Sequence, residues 1–415
     1  MNRIVIGMVA MVACCCTAVA SGQSRPDSLP PQPKVLRQLE DLQEMVMSRV
    51  VASRNPKSAG KFKVIFMPPP FDNIPDYGFN IGAGVSGIFK TGSDPLLYTS
   101  SIPLSARFGF TDPFSFNVKC SPTLYFCGNR LKLSALAMYQ QRYEHYFGIG
   151  YSTNISMARD RAVNGYQSRQ WRVSPEVSVR VGRGDVYVGV VADYRHETML
   201  RPGDFLLSDG GFAAIGGDAG RAKLVDVGAG VDFTIDTRDV AYGPEEGVLL
   251  NARAMYYAKC LGGDFNYGKL TLDYRHYMRL WGRENVLSWG ISSYNAVGRD
   301  IPFARYATIG DGYVTRGYYG YQFRDKSVLK AHVEYRYMFN FNTLVGQLLV
   351  NRFGVAGWGG IALLGENVVR YDAALPEIGV GLRMKAAPRV NARFDVGYGT
   401  ATGKVLYYFG ITELF

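Results

Sequence analysis

No stretch of about 18 consecutive apolar residues occurs, so no part of the chain can cross a bilayer as a helix. Histidine is scarce: the chain has only His145, His196, His276 and His332. None stands in a His-x-Ser arrangement or beside an acidic cluster, which leaves serine–histidine and protease chemistry without a seat. Of six cysteines, Cys14, Cys15 and Cys16 sit at the extreme N-terminus. Cys120, Cys127 and Cys260 are odd in number and lack metal-ligand spacing, and Cys120 and Cys127 share one strand and its turn, too far apart to bridge. Asp232, Asp236 and Asp239 lack the glycine and terminal glutamate spacing of a calcium loop. Gly78, Gly82, Gly84 and Gly87 lie in strand context with no helix following, so they are no phosphate loop. The expectation is therefore a protein with no catalytic residue, metal or cofactor, which is not an enzyme.

What the chain does have is glycine (48), tyrosine (28) and a mean hydropathy of -0.05. That combination suits a transmembrane β-barrel, whose strands average a lipid face with a wet one. The net charge of +11 is spread along the sequence between apolar residues and forms no basic patch, so nucleic acid is not expected as a partner. At the N-terminus, Arg3, the apolar run Ile4 to Ala13 and Ala18-Val19-Ala20 before Ser21 read as a signal peptide over residues 1–20. Lipidation at Cys14 is disfavoured because Met11 stands three places upstream. Residues 21–63 read as a proline-rich linker plus one amphipathic helix over about 34–52, where Val35, Leu36, Leu39, Leu42, Met45, Val46 and Val50 recur at helical spacing. Residues 64–415 read as the barrel.

Period-two alternation carries that reading. Leu270, Leu272, Tyr274, Met278 and Leu280 share one face, opposed by Lys269, Thr271, Asp273, Arg275 and Arg279. Leu329, Ala331, Val333, Tyr335, Tyr337 and Phe339 likewise oppose Lys330, His332, Glu334 and Arg336. Charges recur on one face in segment after segment, and the apolar faces begin or end in aromatics, as a boundary girdle requires. The fold expected is all-β, an antiparallel transmembrane barrel of about 16 strands. Strand starts are read near 77, 99, 114, 131, 169, 186, 223, 248, 267, 286, 303, 328, 347, 377, 391 and 405. An even count puts both chain ends on one side. The stretch Gly310 to Tyr321 interrupts the alternation: it is rich in glycine and tyrosine and carries one cation suited to burial, Arg316. A loop of this kind is built to pack inside the sheet.

Four stretches resemble the BamA/TamA superfamily of outer-membrane assembly barrels, the bacterial surface-antigen family. Thr315-Arg316-Gly317-Tyr318 is similar to its sixth-outer-loop motif, with Thr315 in place of the usual aliphatic residue. Asp236 to Gly247 resembles the loop between its seventh and eighth strands. Gly379-Val380-Gly381-Leu382-Arg383 with Arg393 to Gly399 resembles its penultimate strand pair, and Phe415 its terminal aromatic, although Glu413 fills a slot more often apolar. The resemblance implies that the sixth loop folds into the lumen and that its arginine pairs with acids on the inner wall. Glu334 and Asp395 are the expected partners; the acid that some relatives carry on the thirteenth strand is missing from Arg352 to Gly357. It also implies a weak lateral seam between first and last strands, here assigned to Gly78, Gly82, Gly84 and Gly87 on one side and Phe415 on the other. The residues between Ser21 and Lys61 are too few for a POTRA domain, so the chain is expected in a barrel-only branch. The function implied is insertion or translocation of outer-membrane proteins or lipids in a Gram-negative outer membrane. Expected partners are lipid, other outer-membrane proteins and periplasmic or lipoprotein subunits. The alternative is a passive pore or structural subunit of an envelope complex.

Overall fold

The computed structural model describes residues 62–413 apart from 68–71, 75–77, 93, 95, 111–113, 183, 219, 242, 282–284, 311–314, 342–349, 388–389 and 412. The signal peptide, the helix expected over 34–52 and Phe415 lie outside the described residues.

The wall begins with β1 (Lys63–Met67), β2 (Asp72–Ile74), β3 (Gly78–Phe89), β4 (Ser100–Gly109), β5 (Ser115–Cys120), β6 (Thr123–Phe126) and β7 (Leu131–His145). It continues with β8 (Gly165–Arg180), β9 (Val186–Leu200), β10 (Arg221–Asp236), β11 (Gly247–Tyr257), β12 (Tyr267–Arg279) and β13 (Asn285–Val297). A long loop with a small hairpin of its own follows, made of β14 (Ala307–Ile309) and β15 (Phe323–Asp325). The wall resumes with β16 (Ser327–Met338), β17 (Phe353–Gly365), β18 (Ala373–Ala387), β19 (Val390–Gly399) and β20 (Lys404–Ile411). Every pairing is antiparallel, and β20 pairs β2, which pairs β3, so the ladder returns to its start. In lipid only such closure satisfies the backbone groups of a sheet. Two wall strands are interrupted: β1 with β2 along β3, and β5 with β6 along β4 and β7. Taken as single strands, they leave sixteen in the ring among the described residues.

The faces are inverted relative to a water-soluble sheet. On β18, Ile378, Val380 and Leu382 are 60, 65 and 58% exposed, while the alternating Glu377 and Arg383 are buried. Trp171, Val173, Val177 and Val179 are exposed on β8, while Gln170, Ser174, Glu176 and Ser178 are buried. An aliphatic exterior around a charged interior is the pattern lipid selects. Aromatics run across neighbouring strands on the exterior, with Phe108–Phe116 ring centroids 4.9 Å apart and Tyr139–Trp171 4.5 Å apart.

Two expectations from the alternation need correction. The segment starting at 303 is not a wall strand: Phe303–Arg305 is a 3-10 turn and Ala307–Ile309 pairs only with β15. Its alternating apolar residues, Phe303, Ala307 and Ile309, are buried in interior clusters rather than turned to lipid. A period of two shows that alternate residues share an environment, and an apolar lumen cluster satisfies it as well as lipid does. The remaining wall position is held by β1 and β2 along β3, and the Pro68-Pro69-Pro70 between them in the sequence hides it from any search for continuous alternation. The strand with Gly78, Gly82, Gly84 and Gly87 is therefore second in the ring. It pairs β4 over ten residues on one edge and β1 and β2 on the other, so the junction that closes the ring lies one strand away.

The lipid-facing assignment is testable on β18. Val380→Arg is expected to cost about 2–4 kcal/mol in urea titrations of the protein in lipid vesicles, whereas a water-facing site would absorb it within about 0.5 kcal/mol.

Candidate functional site

The loop between β13 and β16 is the sixth at the end of the barrel opposite the one where β1 begins and β20 finishes. It turns into the lumen for reasons visible in its residues. Ile309, Tyr318 and Phe323 are buried in one cluster with Val328 of β16, Ala362 and Leu364 of β17 and Ala373 and Leu375 of β18. Their burial removes large apolar surface from water and seats the loop on that arc of wall. Thr315, the departure from the aliphatic motif, accepts a hydrogen bond from the Gly310 amide at 3.1 Å across the loop tip.

This seating brings Arg316 onto both acids proposed for it. Its Nη2 donates to Glu334 on β16 at 2.6 Å, and its Nη1 to Asp395 on β19 at 3.0 Å. Arg316 is 3% exposed, Glu334 1% and Asp395 0%. Burial opposes the charge on Arg316, but the Glu334 and Asp395 carboxylates outweigh it and raise the guanidinium pKa above its ordinary value. On β17, the thirteenth strand of the ring, Trp358 places its ring 3.5 Å from the Arg316 guanidinium carbon. A desolvated cation on an indole face gains about 2 kcal/mol.

The pair belongs to a larger lattice. Arg383 donates to Asp395 at 2.6 Å and to Glu413 at 2.8 Å, and Arg393 donates to Asp395 at 2.7 Å. Arg336 lies 3.7 Å from Glu334 and donates to the Pro244 carbonyl at 2.9 Å. The turn within Asp236 to Gly247 thus reaches the same lattice from the other end of the barrel. The acid at Glu413 now has a reason: its side chain points inward, where it also accepts from Asn391 at 2.8 Å. The loop backbone is bound as well, since the Gly317 amide donates to the Tyr408 hydroxyl on β20 at 2.8 Å and the Tyr318 hydroxyl donates to the Pro376 carbonyl at 2.5 Å.

Glycine is required where loop and wall meet backbone to backbone. Gly317 has a φ of +136°, and a Cβ there would stand 2.6 Å from the Gly399 nitrogen. A Cβ on Gly399 would stand 2.3 Å from the Gly317 carbonyl oxygen.

Of the residues singled out from sequence, Thr315, Arg316, Gly317, Tyr318, Glu334 and Asp395 come together here. Gly78, Gly82, Gly84 and Gly87 are on β3. Sequence reasoning missed Arg305, which was read as part of a wall strand. It is buried, with Nε 2.6 Å from Asp226 on β10 and Nη1 2.6 Å from Glu197 on β9. Arg383 and Arg393 were named only within the strand-pair motif and given no pairing role, although their inward parity beside Asp395 was an available signal; Trp358 was missed. Among the described residues no His, Cys, Asp and Glu group is arranged to hold a metal, and Cys120, Cys127 and Cys260 are free thiols. The arrangement can hold a loop against a wall.

Removing Arg316 would leave Glu334 buried with its closest partner gone. Arg316→Ala is expected to cost about 3–5 kcal/mol, read as a lower temperature at which the folded band is lost on semi-native gels. Arg316→Lys, which keeps charge but not the fork, is expected to recover only part of the loss.

The described sequence matches the Omp85 superfamily domain over residues 82–354. Among solved structures, BamA from Haemophilus ducreyi lacking POTRA domains 1–3 superposes with a TM-score of 0.59 at 11% identity, covering 94% of this chain and 80% of that one. CdiB from Escherichia coli superposes with a TM-score of 0.52 at 11% identity, covering 91% of this chain and 70% of that one. No curated protein matches by sequence. At that identity the likeness to the solved barrels speaks for the fold, and the domain match, spanning most of the wall, speaks for the family. With its ring of antiparallel strands and lipid-facing exterior, this chain belongs to the Omp85 superfamily of outer-membrane β-barrels.

Proposed function

We propose that this barrel aids insertion or translocation of outer-membrane proteins or lipids in a Gram-negative outer membrane, by opening sideways between β2 and β20 under control of the lumen loop. The observation that carries the reading is the thinness of that junction. Among the described residues β20 pairs β2 at two positions, Asp72↔Gly410 and Asn73↔Phe409. On its other edge β20 pairs β19 at eight, and β3 pairs β4 at ten. Opening elsewhere would break several times more hydrogen bonds in a medium that cannot replace them.

The loop supports the same reading. Arg316 holds Asp395 on β19, Gly317 holds Tyr408 on β20, and Glu413 just past β20 is tied to Arg383. The loop and the ion-pair lattice therefore grip β20 and its neighbour β19 from inside, on one side of the junction. Partners under this reading are lipid, substrate barrels and periplasmic or lipoprotein subunits.

A disulfide across the junction separates insertion from passive conduction. Asn73→Cys with Phe409→Cys places two thiols at paired positions. Oxidation is expected to deplete other outer-membrane barrels in a membrane-proteome census, and reductant to restore them. An unchanged census with the bond formed defeats the reading. Loss of a single solute's uptake would favour a pore instead.

A further inference from the structure

We infer that Arg305 is a second positioning residue of the lumen loop, a tether that holds the loop to the wall away from the junction and independently of Arg316. Eleven positions before Arg316, the chain makes the 3-10 turn Phe303–Arg305 and sends Arg305 to β9 and β10. Those strands are separated from β16 and β19, where Arg316 lands, by β11, β12 and β13. One loop is thus fastened to two different arcs of the ring.

The tether is built as a site of its own. Glu197 accepts from Arg305 and from the Ser168 hydroxyl at 2.7 Å, and Asp226 accepts from Arg305 and from the Tyr267 hydroxyl at 2.8 Å. Arg305, Glu197 and Asp226 are each buried almost completely. Phe303 in the same turn is buried against Tyr146, Tyr166, Met199 and Leu224. Arg324, on the returning strand of the loop, donates to the Phe303 carbonyl at 3.1 Å and so joins the two legs of the loop at this point. None of these residues touches the lattice around Asp395. The two anchors differ in what holds them. Arg316 binds β16 and β19, the latter paired to the closing strand β20, whereas Arg305 binds strands whose mutual ladder runs through fifteen residue pairs. A movement at the junction would strain the first anchor and leave the second in place, so the loop would stay in the lumen as its tip lets go. This rests on the reading of the loop as the controlling element, but its test does not use insertion activity.

Purified, folded protein in lipid vesicles is exposed to trypsin, and cleavage within residues 298–326, which include Arg299, Arg305, Arg316, Arg324 and Lys326, is followed by mass spectrometry. Arg316→Ala alone is expected to keep the rest of the loop protected at nearly the wild-type rate. Adding Arg305→Gln is expected to speed cleavage at Arg324 and Lys326 by about tenfold or more, since two buried carboxylates lose their cation and local opening sets the rate. The exchange Arg305→Glu with Glu197→Arg is expected to recover protection. The tether is disproved if the double variant is cut no faster than Arg316→Ala alone. Should the double variant fail to assemble, the single variants decide: Arg305→Gln cut faster than wild type and rescued by Arg305→Lys supports the tether, and equal rates overturn it. Insertion defects with an unmoved loop would count against the functional reading instead.

Discussion

A sheet surrounded by hydrocarbon has nowhere to leave an unpaired strand edge, and this constraint shapes the whole chain. The ring must close between segments separated by almost the full described length, and among the described residues the closing ladder runs through two residue pairs, Asp72↔Gly410 and Asn73↔Phe409. The interior then acquires a role that the ladder does not fill. Charges packed inside the barrel bind the flanking strands by their side chains, in a space where each ion pair is sheltered from solvent screening.

Much of this architecture was legible in residue order. The alternation of Leu270 and Leu272 with Lys269, Thr271 and Asp273 separates two faces, the recurring charges and aromatic ends assign them to lumen and lipid, and most strand starts fall within a few residues of their expected places. Parity put Glu334 on the inside, the family resemblance named it and Asp395 as partners, and an isolated arginine between glycine and tyrosine pointed to the loop. The misses have a common physical origin. Phe303, Ala307 and Ile309 alternate like lipid-facing residues because an interior apolar cluster and a bilayer make the same demand on a side chain. The wall position held by β1 and β2 shows no continuous alternation because prolines stand between them in the sequence, yet both strands pair all the same. Arg305 was invisible because its partners, Glu197 and Asp226, are remote in sequence and meet it only once the barrel has curved.

Buried arginines in this lumen are more numerous than the family motif alone requires. Arg316, Arg383 and Arg393 share Asp395, and Arg336 and Arg383 both approach Glu334. Sharing of this kind costs desolvation for every member and is sustained by hydrogen bonds in fixed directions, which favours one arrangement over near alternatives. Trp358 adds a flat, weakly polar surface where an additional carboxylate would have competed for the same cation.

Glu413 couples this lattice to the closing strand. It lies just past β20, and Tyr408 lies within β20. Arg383 already meets Asp395 on β19, but it gains the Glu413 carboxylate only when the residues past β20 are seated in the lumen. The Gly317 amide likewise gains the Tyr408 hydroxyl only when β20 stands in the wall. Docking of that strand and settling of the loop tip are thus a single event.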